Sequence, residues 1–256
     1  MTHGAFMVPC WVSQPGSGAL GAAVRQRRAT CDSPASCALL SGPWPQVISS
    51  WRDVAPRREI PKGAVFAVDA CRTPVGKIKG ALAGVRPDHL AAEVISALVA
   101  CSPWLDPETI DDVYWGAAGQ AGEDNRNVAR MAVLLAGLPV TIPGATVNRL
   151  CGSGMEAIAD AARAIAAGEA DICLAGGSES MTRAPFVLPR AQDSFPRDAG
   201  LADTRLGWRL VSPRMRELYP PASLGETAEN VASRHGITRQ RQDEFALISH
   251  QRAGRA

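Results

Sequence analysis

Val147-Asn148-Arg149-Leu150-Cys151-Gly152-Ser153-Gly154-Met155 is a segment in which a strand-like apolar stretch gives way to a thiol, two glycines and a helix. A thiol at a helix start faces unpaired backbone N–H groups and the positive end of the helix dipole, and both favour the reactive thiolate. Glycine at positions 152 and 154 removes Cβ atoms where a substrate must reach the sulfur, and lets the chain turn sharply. The segment therefore predicts a nucleophilic cysteine, Cys151, presented by a strand–turn–helix unit.

The residues after Cys151 predict a helix over roughly 152–167, followed by a buried strand. Gly168 stands where a left-handed residue commonly ends a helix. The apolar run 171–175 then ends at Gly176-Gly177, as expected for a strand that leads into a tight loop. One helical face is predicted from apolar residues at helical spacing, namely Met155, Ile158, Ala159, Ala162, Ile165 and Ala166.

The rest of the chain repeats this alternation. Further strands are predicted at about 64–68, 111–116 and 145–147, with helices that begin near Pro87 and Val128 between them. Strands alternating with helices at these spacings predict an α/β fold with a mixed, largely parallel sheet covered on both faces. Beyond Gly177 the pattern lapses into an irregular excursion, and two helices are predicted at about 227–234 and from about 239.

The first 62 residues differ in composition from the remainder. They are rich in Pro, Gly, Ser and Arg, and no sustained helix or strand period is present. Three interpretations are open: a disordered extension, a targeting segment, or upstream sequence translated from a wrong start. A disordered extension or a wrong start is favoured over targeting, because no compact apolar core precedes a small-residue cleavage site.

Composition excludes several classes of protein. The 256 residues are 46% hydrophobic, with no uninterrupted apolar run long enough to cross a membrane, so a cytoplasmic location is expected. The net charge is +2 and no basic stripe is interleaved with aromatic residues, which argues against nucleic-acid partners. The seven cysteines are scattered without a C-x-x-C pair, so neither a disulfide framework nor a metal site is expected.

Several segments together resemble the thiolase family, closest to its degradative members of the 3-oxoadipyl-CoA type. The segment 147–154 resembles the nucleophile signature of that family, and the run 175–186, Ala-Gly-Gly-Ser-Glu-Ser-Met-Thr-Arg-Ala-Pro-Phe, resembles its second N-terminal signature. Shorter similarities lie at 69–76, 225–232 and 242–247. The resemblance covers about 63–256.

The resemblance implies a fold and an organisation for the chain. The fold would be a thiolase-like, layered αβα half with part of an inserted loop domain, at about 178–245. Residues 1–62 would be an extension and 63–256 the N-terminal thiolase domain, while the C-terminal thiolase domain would be absent. The resemblance also implies a homo-oligomer for a full-length chain, with 119–130 resembling a subunit-contact segment.

The resemblance also implies an activity and roles for individual residues. Cys151 would attack a 3-oxoacyl-CoA, acetyl-CoA would leave, and free coenzyme A would then cleave the acyl-enzyme, so coenzyme A is a substrate and no tightly bound cofactor is implied. Gly152 and Gly154 would belong to the turn that stabilises the thioester oxyanion. Apart from the resemblance, Met181 and Phe186 are candidates for lining an acyl pocket, with burial in the core as the open alternative, and charge alone makes Arg183 or Arg190 a candidate for contacting coenzyme A phosphates.

Parts of the thiolase pattern are missing from the sequence. Thiolases carry an Asn-Glu-Ala-Phe segment, a histidine in Gly-His-Pro and a second cysteine in Cys-x-Gly, and the sequence contains none of these. Its four histidines lie in other contexts. An alternative hypothesis is therefore a catalytically incomplete fragment that acts at most as a coenzyme-A-binding or interaction module.

Overall fold

The computed structural model describes residues 10–13, 64–191, 200–205, 207–219 and 221–255. The described residues fall into two compact units, the first ending at Pro185 and the second beginning at Phe186. Among the helices in these ranges, none is long and apolar enough to cross a membrane.

The first unit is built around a five-stranded sheet. Its strands are β1 (Cys10–Ser13), β2 (Phe66–Ala70), β3 (Asp112–Gly116), β4 (Ala145–Val147) and β5 (Ile172–Gly177). They lie in the order β2-β1-β5-β3-β4, with β5, β3 and β4 parallel to one another. The strand β1 runs antiparallel to both of its neighbours, β2 and β5. The predicted mixed, largely parallel sheet is confirmed.

Helices cover both faces of this sheet. They are α1 (Pro87–Ala100), α2 (Val128–Leu135) and α3 (Ser153–Ala167), with a short 3-10 helix at Pro107–Thr109. Trp115 and Leu174 point from β3 and β5 into a core shared with α1 and α2. Their neighbours Cys173 and Ala175 belong to a second core with α3, because successive strand residues face opposite sides. The result is the predicted three-layer α/β/α arrangement.

Local signals explain where these helices begin and end. Pro87 occupies the first turn of α1, where a missing N–H costs nothing. The Asn127 side chain caps α2 by accepting a hydrogen bond from the Arg130 N–H. Gly168 ends α3 with φ of 78°, as predicted from its position.

The buried face of α3 differs from the predicted one. The structure buries Ala157, Ala161 and Ile165, whereas Met155 is 75% exposed. The predicted face was wrong at Met155 because alanines, which carry little hydrophobic signal, form the side of the helix that approaches the sheet closely. Ile165 is buried and Met155 is exposed, so the size of an apolar side chain alone does not mark the contact face of this helix.

The described residues of the second unit form two short strands and three helices with little burial. It contains β6 (Phe186–Val187), antiparallel to β7 (Ala202–Asp203), and the helices α4 (Pro213–Leu218), α5 (Leu224–His235) and α6 (Arg239–Arg255). Ser223 and Glu226 form a capping box at the start of α5. No residue of α4, α5 or α6 is buried.

The strand β1 lies inside the segment predicted as an extension. Four residues are too short to give a detectable period, so the sequence carried no sign of this strand. The rest of 1–62, on which three interpretations are open, lies outside the described residues.

Candidate active site

The candidate nucleophile lies in the turn between β4 and α3. Cys151 follows the end of β4 by four residues and precedes the first residue of α3 by two. Its side chain is exposed, whereas Cys173 is buried and Cys71 and Cys101 are partly buried. Burial raises the pKa of both Cys71 and Cys173 to about 12, which keeps those thiols protonated. Among the cysteines whose side chains are described, Cys151 is therefore the one that is exposed.

The turn is fixed by hydrogen bonds within itself. The Gly152 N–H donates to the Arg149 carbonyl at 3.1 Å, and the Ser153 N–H donates to the Leu150 carbonyl at 3.0 Å. The Ser153 hydroxyl accepts from the Arg149 N–H at 2.9 Å and donates to the Leu150 carbonyl at 2.5 Å. These contacts hold the backbone on both sides of Cys151.

Leu150 carries the unusual backbone conformation of this turn. Its φ is 51°, in the left-handed region that a leucine seldom occupies. Gly152, in contrast, has φ of −88°, which any residue can adopt. The sharp turn expected from the glycines is thus made by Leu150, and such strain is typical of functional sites.

Glycines on the strands allow α3 to begin directly against the sheet. A Cβ atom at Gly116 would lie 2.3 Å from the Ser153 carbonyl carbon, and one at Gly177 would lie 3.2 Å from the Gly154 Cα. Real Cβ atoms essentially never approach backbone as closely as the first of these distances. The start of α3, and with it the Cys151 turn, therefore rests on the carboxyl ends of β3 and β5.

Asn148 and Glu179 connect the loops that surround the turn. The Asn148 amide donates to the Ala118 carbonyl at 3.2 Å. The Glu179 carboxylate accepts from the Ala118 N–H at 2.8 Å and from the Gly119 N–H at 3.1 Å. The loop after β3 is thereby tied both to the nucleophile turn and to the loop after β5.

Arg183 is held in an ion pair. Its guanidinium donates to both carboxylate oxygens of Glu123 at 2.5 Å, and Arg86 contacts the same carboxylate at 3.4 Å. The hydrogen bond from Arg183 lowers the pKa of Glu123 below its usual range. An Arg183 engaged in this way contributes little free positive charge for a phosphate.

Asp124, the neighbour of Glu123 in the chain, is a buried carboxyl group. It is 7% exposed, and its Oδ1 has no hydrogen-bond partner among the described residues. Burial raises the pKa of Asp124 to about 6, and the nearby negative charge of Glu179 adds to the rise. The burial follows from how two loops fold together, so no local sequence signal could have found it.

Of the remaining predicted binding residues, Met181 belongs to the first unit and Phe186 to the second. Met181 lines a small open pocket together with Lys77, Leu82 and Leu90, and Cys151 is not one of its lining residues. Phe186 lies in the second unit and is 62% exposed. In the described ranges, His, Cys, Asp and Glu side chains form no group of three or more that could hold a metal ion.

The sequence is similar to a known protein family and to curated relatives. Residues 65–256 match a family model described as the N-terminal domain of thiolase. The chain is 54% identical over 192 residues to a beta-ketoadipyl-CoA thiolase of Pseudomonas putida, covering 75% of this chain and 48% of the relative. It is 55% identical over 191 residues to the 3-oxoadipyl-CoA/3-oxo-5,6-dehydrosuberyl-CoA thiolase of Escherichia coli K12, with coverage of 75% and 48%.

A solved structure is also similar. It is the crystal structure of the Bacillus anthracis acetyl-CoA acetyltransferase, with a TM-score of 0.59 and 35% identity, covering 70% of this chain and 43% of that one. The chain spans about half the length of the curated relatives it matches, namely 48% of each of the two thiolases from Pseudomonas putida and Escherichia coli K12.

Proposed function

Because the chain belongs to the thiolase family, we propose that it carries the nucleophile of a thiolase-type acyltransferase acting on 3-oxoacyl-CoA. The observation that carries this proposal is the placement of Cys151, exposed at the start of α3 in a turn braced by Ser153 and strained at Leu150. The names of the relatives, thiolases of beta-ketoadipyl-CoA, favour a 3-oxoadipyl-type substrate.

The proposed reaction divides one carbon–carbon cleavage into two acyl transfers. The Cys151 thiolate adds to the 3-keto carbon, and the bond between C2 and C3 then breaks, so that acetyl-CoA leaves as an enolate that takes up a proton. The acyl group remains on Cys151 as a thioester. A second coenzyme A thiolate takes this acyl group, and the Cys151 thiolate is regenerated. Reversal of these steps would be a Claisen condensation.

The residues around Cys151 would contribute position and space. Gly152 and Gly154 would leave the approach to the sulfur free of side chains, and we assign the oxyanion contact to backbone N–H groups of this turn. The Gly152 N–H already donates to the Arg149 carbonyl, so it would have to be shared between two acceptors in the reaction. Loss of a donor of this type typically lowers the rate by about 10²–10³.

Met181, Phe186 and Arg183 remain proposals for substrate contact. Met181 lines a pocket that Cys151 does not line, so contact with the acyl group stays a proposal without support from this pocket. For Arg183 to contact a coenzyme A phosphate, the phosphate would have to compete with Glu123 for the guanidinium. We likewise propose a cytoplasmic location, and a homo-oligomer for a chain of the relatives' full length.

A cleavage assay tests the proposed activity. Purified chain would be mixed with 3-oxoadipyl-CoA and coenzyme A, and acetyl-CoA formation followed by chromatography. Cys151→Ser should abolish any activity, whereas the matched variant Cys101→Ser, at a partly buried thiol, should retain it. Equal activity of the Cys151→Ser variant would contradict the assignment.

A second candidate function is favoured by the motifs of the sequence. The 256 residues contain the nucleophile segment but no Gly-His-Pro or Cys-x-Gly segment, so the chain can hold the nucleophile without the groups that move protons during turnover. It would then act as a coenzyme-A-binding or interaction module. Calorimetric binding of coenzyme A without cleavage would support this alternative, and steady-state cleavage by the chain alone would exclude it.

A further inference from the structure

Arg149 adds a positive charge to the turn that carries the candidate nucleophile. It lies two residues before Cys151, between the end of β4 and the start of α3. Its stem passes beside Gly152, because a Cβ atom at Gly152 would lie 3.9 Å from the Arg149 Cγ. The side chain of Arg149 is 69% exposed. The turn thus carries both a thiol and an accessible guanidinium.

The ion pair that Arg149 forms is shared with a second arginine. The Arg149 Nη1 lies 3.0 Å from one carboxylate oxygen of Glu156, in the first turn of α3. The other oxygen of Glu156 lies 3.1 Å from the Arg163 Nη1. Ion pairs that stay open to solvent contribute little to stability. Arg149 can therefore turn to another carboxylate at little cost, since Glu156 keeps Arg163 as its partner.

Arg149 is also less engaged than Arg183, the arginine that charge alone suggested for ligand binding. Arg183 is 31% exposed, and its guanidinium donates to both carboxylate oxygens of Glu123. An arginine carries five N–H donors, and among the described residues Glu156 is the ion-pair partner of Arg149. Of these two guanidinium groups, that of Arg149 is the more accessible to a ligand.

The proposed reaction leaves a dicarboxylic acyl group on the sulfur when the substrate is of the 3-oxoadipyl type. Cleavage between C2 and C3 leaves four carbons, with the thioester carbonyl at one end and a free carboxylate at the other. Three carbon–carbon bonds join these two ends, so they lie about 4 Å apart when extended. A carboxylate that leaves water needs a cation or hydrogen-bond donors as partners. Such a partner must lie close to Cys151.

The position of Arg149 meets this requirement. The Cα atoms of residues two apart in a chain are separated by at most about 7 Å. The arginine stem spans a similar length, so its guanidinium can reach the end of a short acyl group on Cys151. Gly152 places no side chain beside the Arg149 stem. Charge, reach and accessibility therefore coincide at Arg149.

We propose that Arg149 is a specificity-determining residue that binds the free carboxylate of a dicarboxylic acyl group carried on Cys151. The guanidinium then exchanges the Glu156 carboxylate for that of the acyl group, and Glu156 stays paired with Arg163. Acyl groups with a neutral end gain nothing from this exchange. The inference rests on the proposed acyl transfer to Cys151 and extends it to the choice of substrate.

Acyl transfer from two coenzyme A thioesters of equal chain length tests this preference. Succinyl-CoA ends in a carboxylate, and butyryl-CoA ends in a methyl group. In each case the Cys151 thiolate attacks the thioester carbonyl, the bond to the coenzyme A sulfur breaks, and the released thiolate takes up a proton. Peptide mapping by mass spectrometry gives the two initial rates of Cys151 acylation. Their ratio measures the preference for the charged group.

Variants of the ion pair should move this ratio in opposite directions. Arg149→Gln should lower the succinyl-to-butyryl ratio about tenfold, as expected for the loss of a charged hydrogen bond, and Arg149→Lys should retain part of the preference. Glu156→Gln should raise the ratio, because no protein carboxylate then competes for Arg149. Loss of folding would slow both reactions and gives no reason for the ratio to rise.

Arg163→Gln is the matched control. It removes one positive charge from the same ion cluster and leaves Arg149 in place, so most of the preference should remain. Equal loss of the preference in Arg163→Gln and Arg149→Gln would overturn the proposal, because the net charge of the cluster would then set the ratio. An unchanged ratio in Arg149→Gln would also overturn it.

Alkylation of Cys151 separates this inference from the proposed function. Iodoacetate and iodoacetamide both lose iodide to the attacking thiolate, but only iodoacetate carries a carboxylate. Arg149→Gln should lower the iodoacetate-to-iodoacetamide rate ratio about two- to fivefold, whereas a general change in thiol reactivity alters both rates alike. If the parent chain accepts no acyl group, this loss would contradict the acyl transfer alone. An unchanged alkylation ratio in such a chain would overturn the carboxylate contact as well.

Discussion

At the level of single residues, Gly116 determines how closely α3 can approach the sheet. A Cβ atom there would lie 2.3 Å from the Ser153 carbonyl carbon, which cannot move without shifting the Cys151 turn. Gly116→Ala should therefore destabilise the fold by about 1–3 kcal/mol, the usual range for overpacking, or more. It should also slow modification of Cys151 by an acyl-CoA.

The matched control for this change is Gly84→Ala. A Cβ at Gly84 would meet nothing within 4 Å. The melting temperature of the Gly84→Ala variant and the reactivity of its Cys151 should therefore stay close to those of the parent chain. Thermal unfolding followed by circular dichroism compares the two variants. Equal melting temperatures would show that α3 does not rest on Gly116 as described.

Asp124 should give the fold a distinct dependence on pH. Its pKa is raised to about 6 in the folded chain against a usual value of 3.8, so the folded state binds the proton more tightly than the unfolded state. Stability contributed by this group should therefore fall as pH rises from about 4 to about 6, by up to roughly 3 kcal/mol.

Replacement by an uncharged isostere tests this assignment. Asp124→Asn should flatten the decline between pH 4 and pH 6 and should be more stable than the parent at pH 7, because no charge is then buried beside Glu179. Urea unfolding at a series of pH values measures the effect. An unchanged pH profile would rule out Asp124 as its source.

At the level of elements, α5 depends on its cap because its residues are not buried in the second unit. The Ser223 hydroxyl accepts from the Glu226 N–H at 3.2 Å, and the Glu226 carboxylate accepts from the Ser223 N–H at 2.6 Å. Ser223→Ala should cost about 1 kcal/mol of local stability. Ser233→Ala, late in the same helix, should cost less, since alanine favours helix interiors. Hydrogen exchange of α5 amides distinguishes the two, and equal exchange would contradict the cap.

Elements defined by local signals were predictable, and contacts between distant segments were not. The strand at 145–147, the helix ending at Gly168 and the start of α1 at Pro87 each follow from periodicity or from a cap. The inner position of β1, in contrast, depends on pairing with strands far away in sequence. The buried face of α3 depends on the close approach at Gly116, which composition does not reveal.

The role of Cys151 as the nucleophile stays a prediction, but its placement between a strand and a helix was predictable, because the order of strand, thiol, glycine and helix is a local pattern. The Glu179 bridge to Ala118 and Gly119 and the burial of Asp124 were not, because they arise where two loops meet. Arg183 was assigned from charge alone, and its pairing with Glu123 could not be seen in the sequence.

At the level of the whole molecule, exposed apolar side chains predict self-association. In the first unit Val140, Leu150 and Met155 are 73%, 64% and 75% exposed, and Leu134 and Leu135 are also exposed. Exposed apolar surface of this kind favours association or poor solubility. Sedimentation velocity should therefore detect oligomers of the isolated chain. Val140→Lys combined with Leu135→Lys should reduce them, and a parent chain that stays monomeric would contradict this expectation.

Transfer of an acetyl group to Cys151 tests the central claim most directly. The chain would be incubated with acetyl-CoA, which can donate its acetyl group to the thiolate with release of free coenzyme A, and the peptides then mapped by mass spectrometry. We expect an acetyl group on Cys151, none on the partly buried Cys71 or the buried Cys173, and none at position 151 in Cys151→Ser. A folded chain that carries no acetyl group on Cys151, or carries it equally on Cys71 and Cys173, would contradict the account.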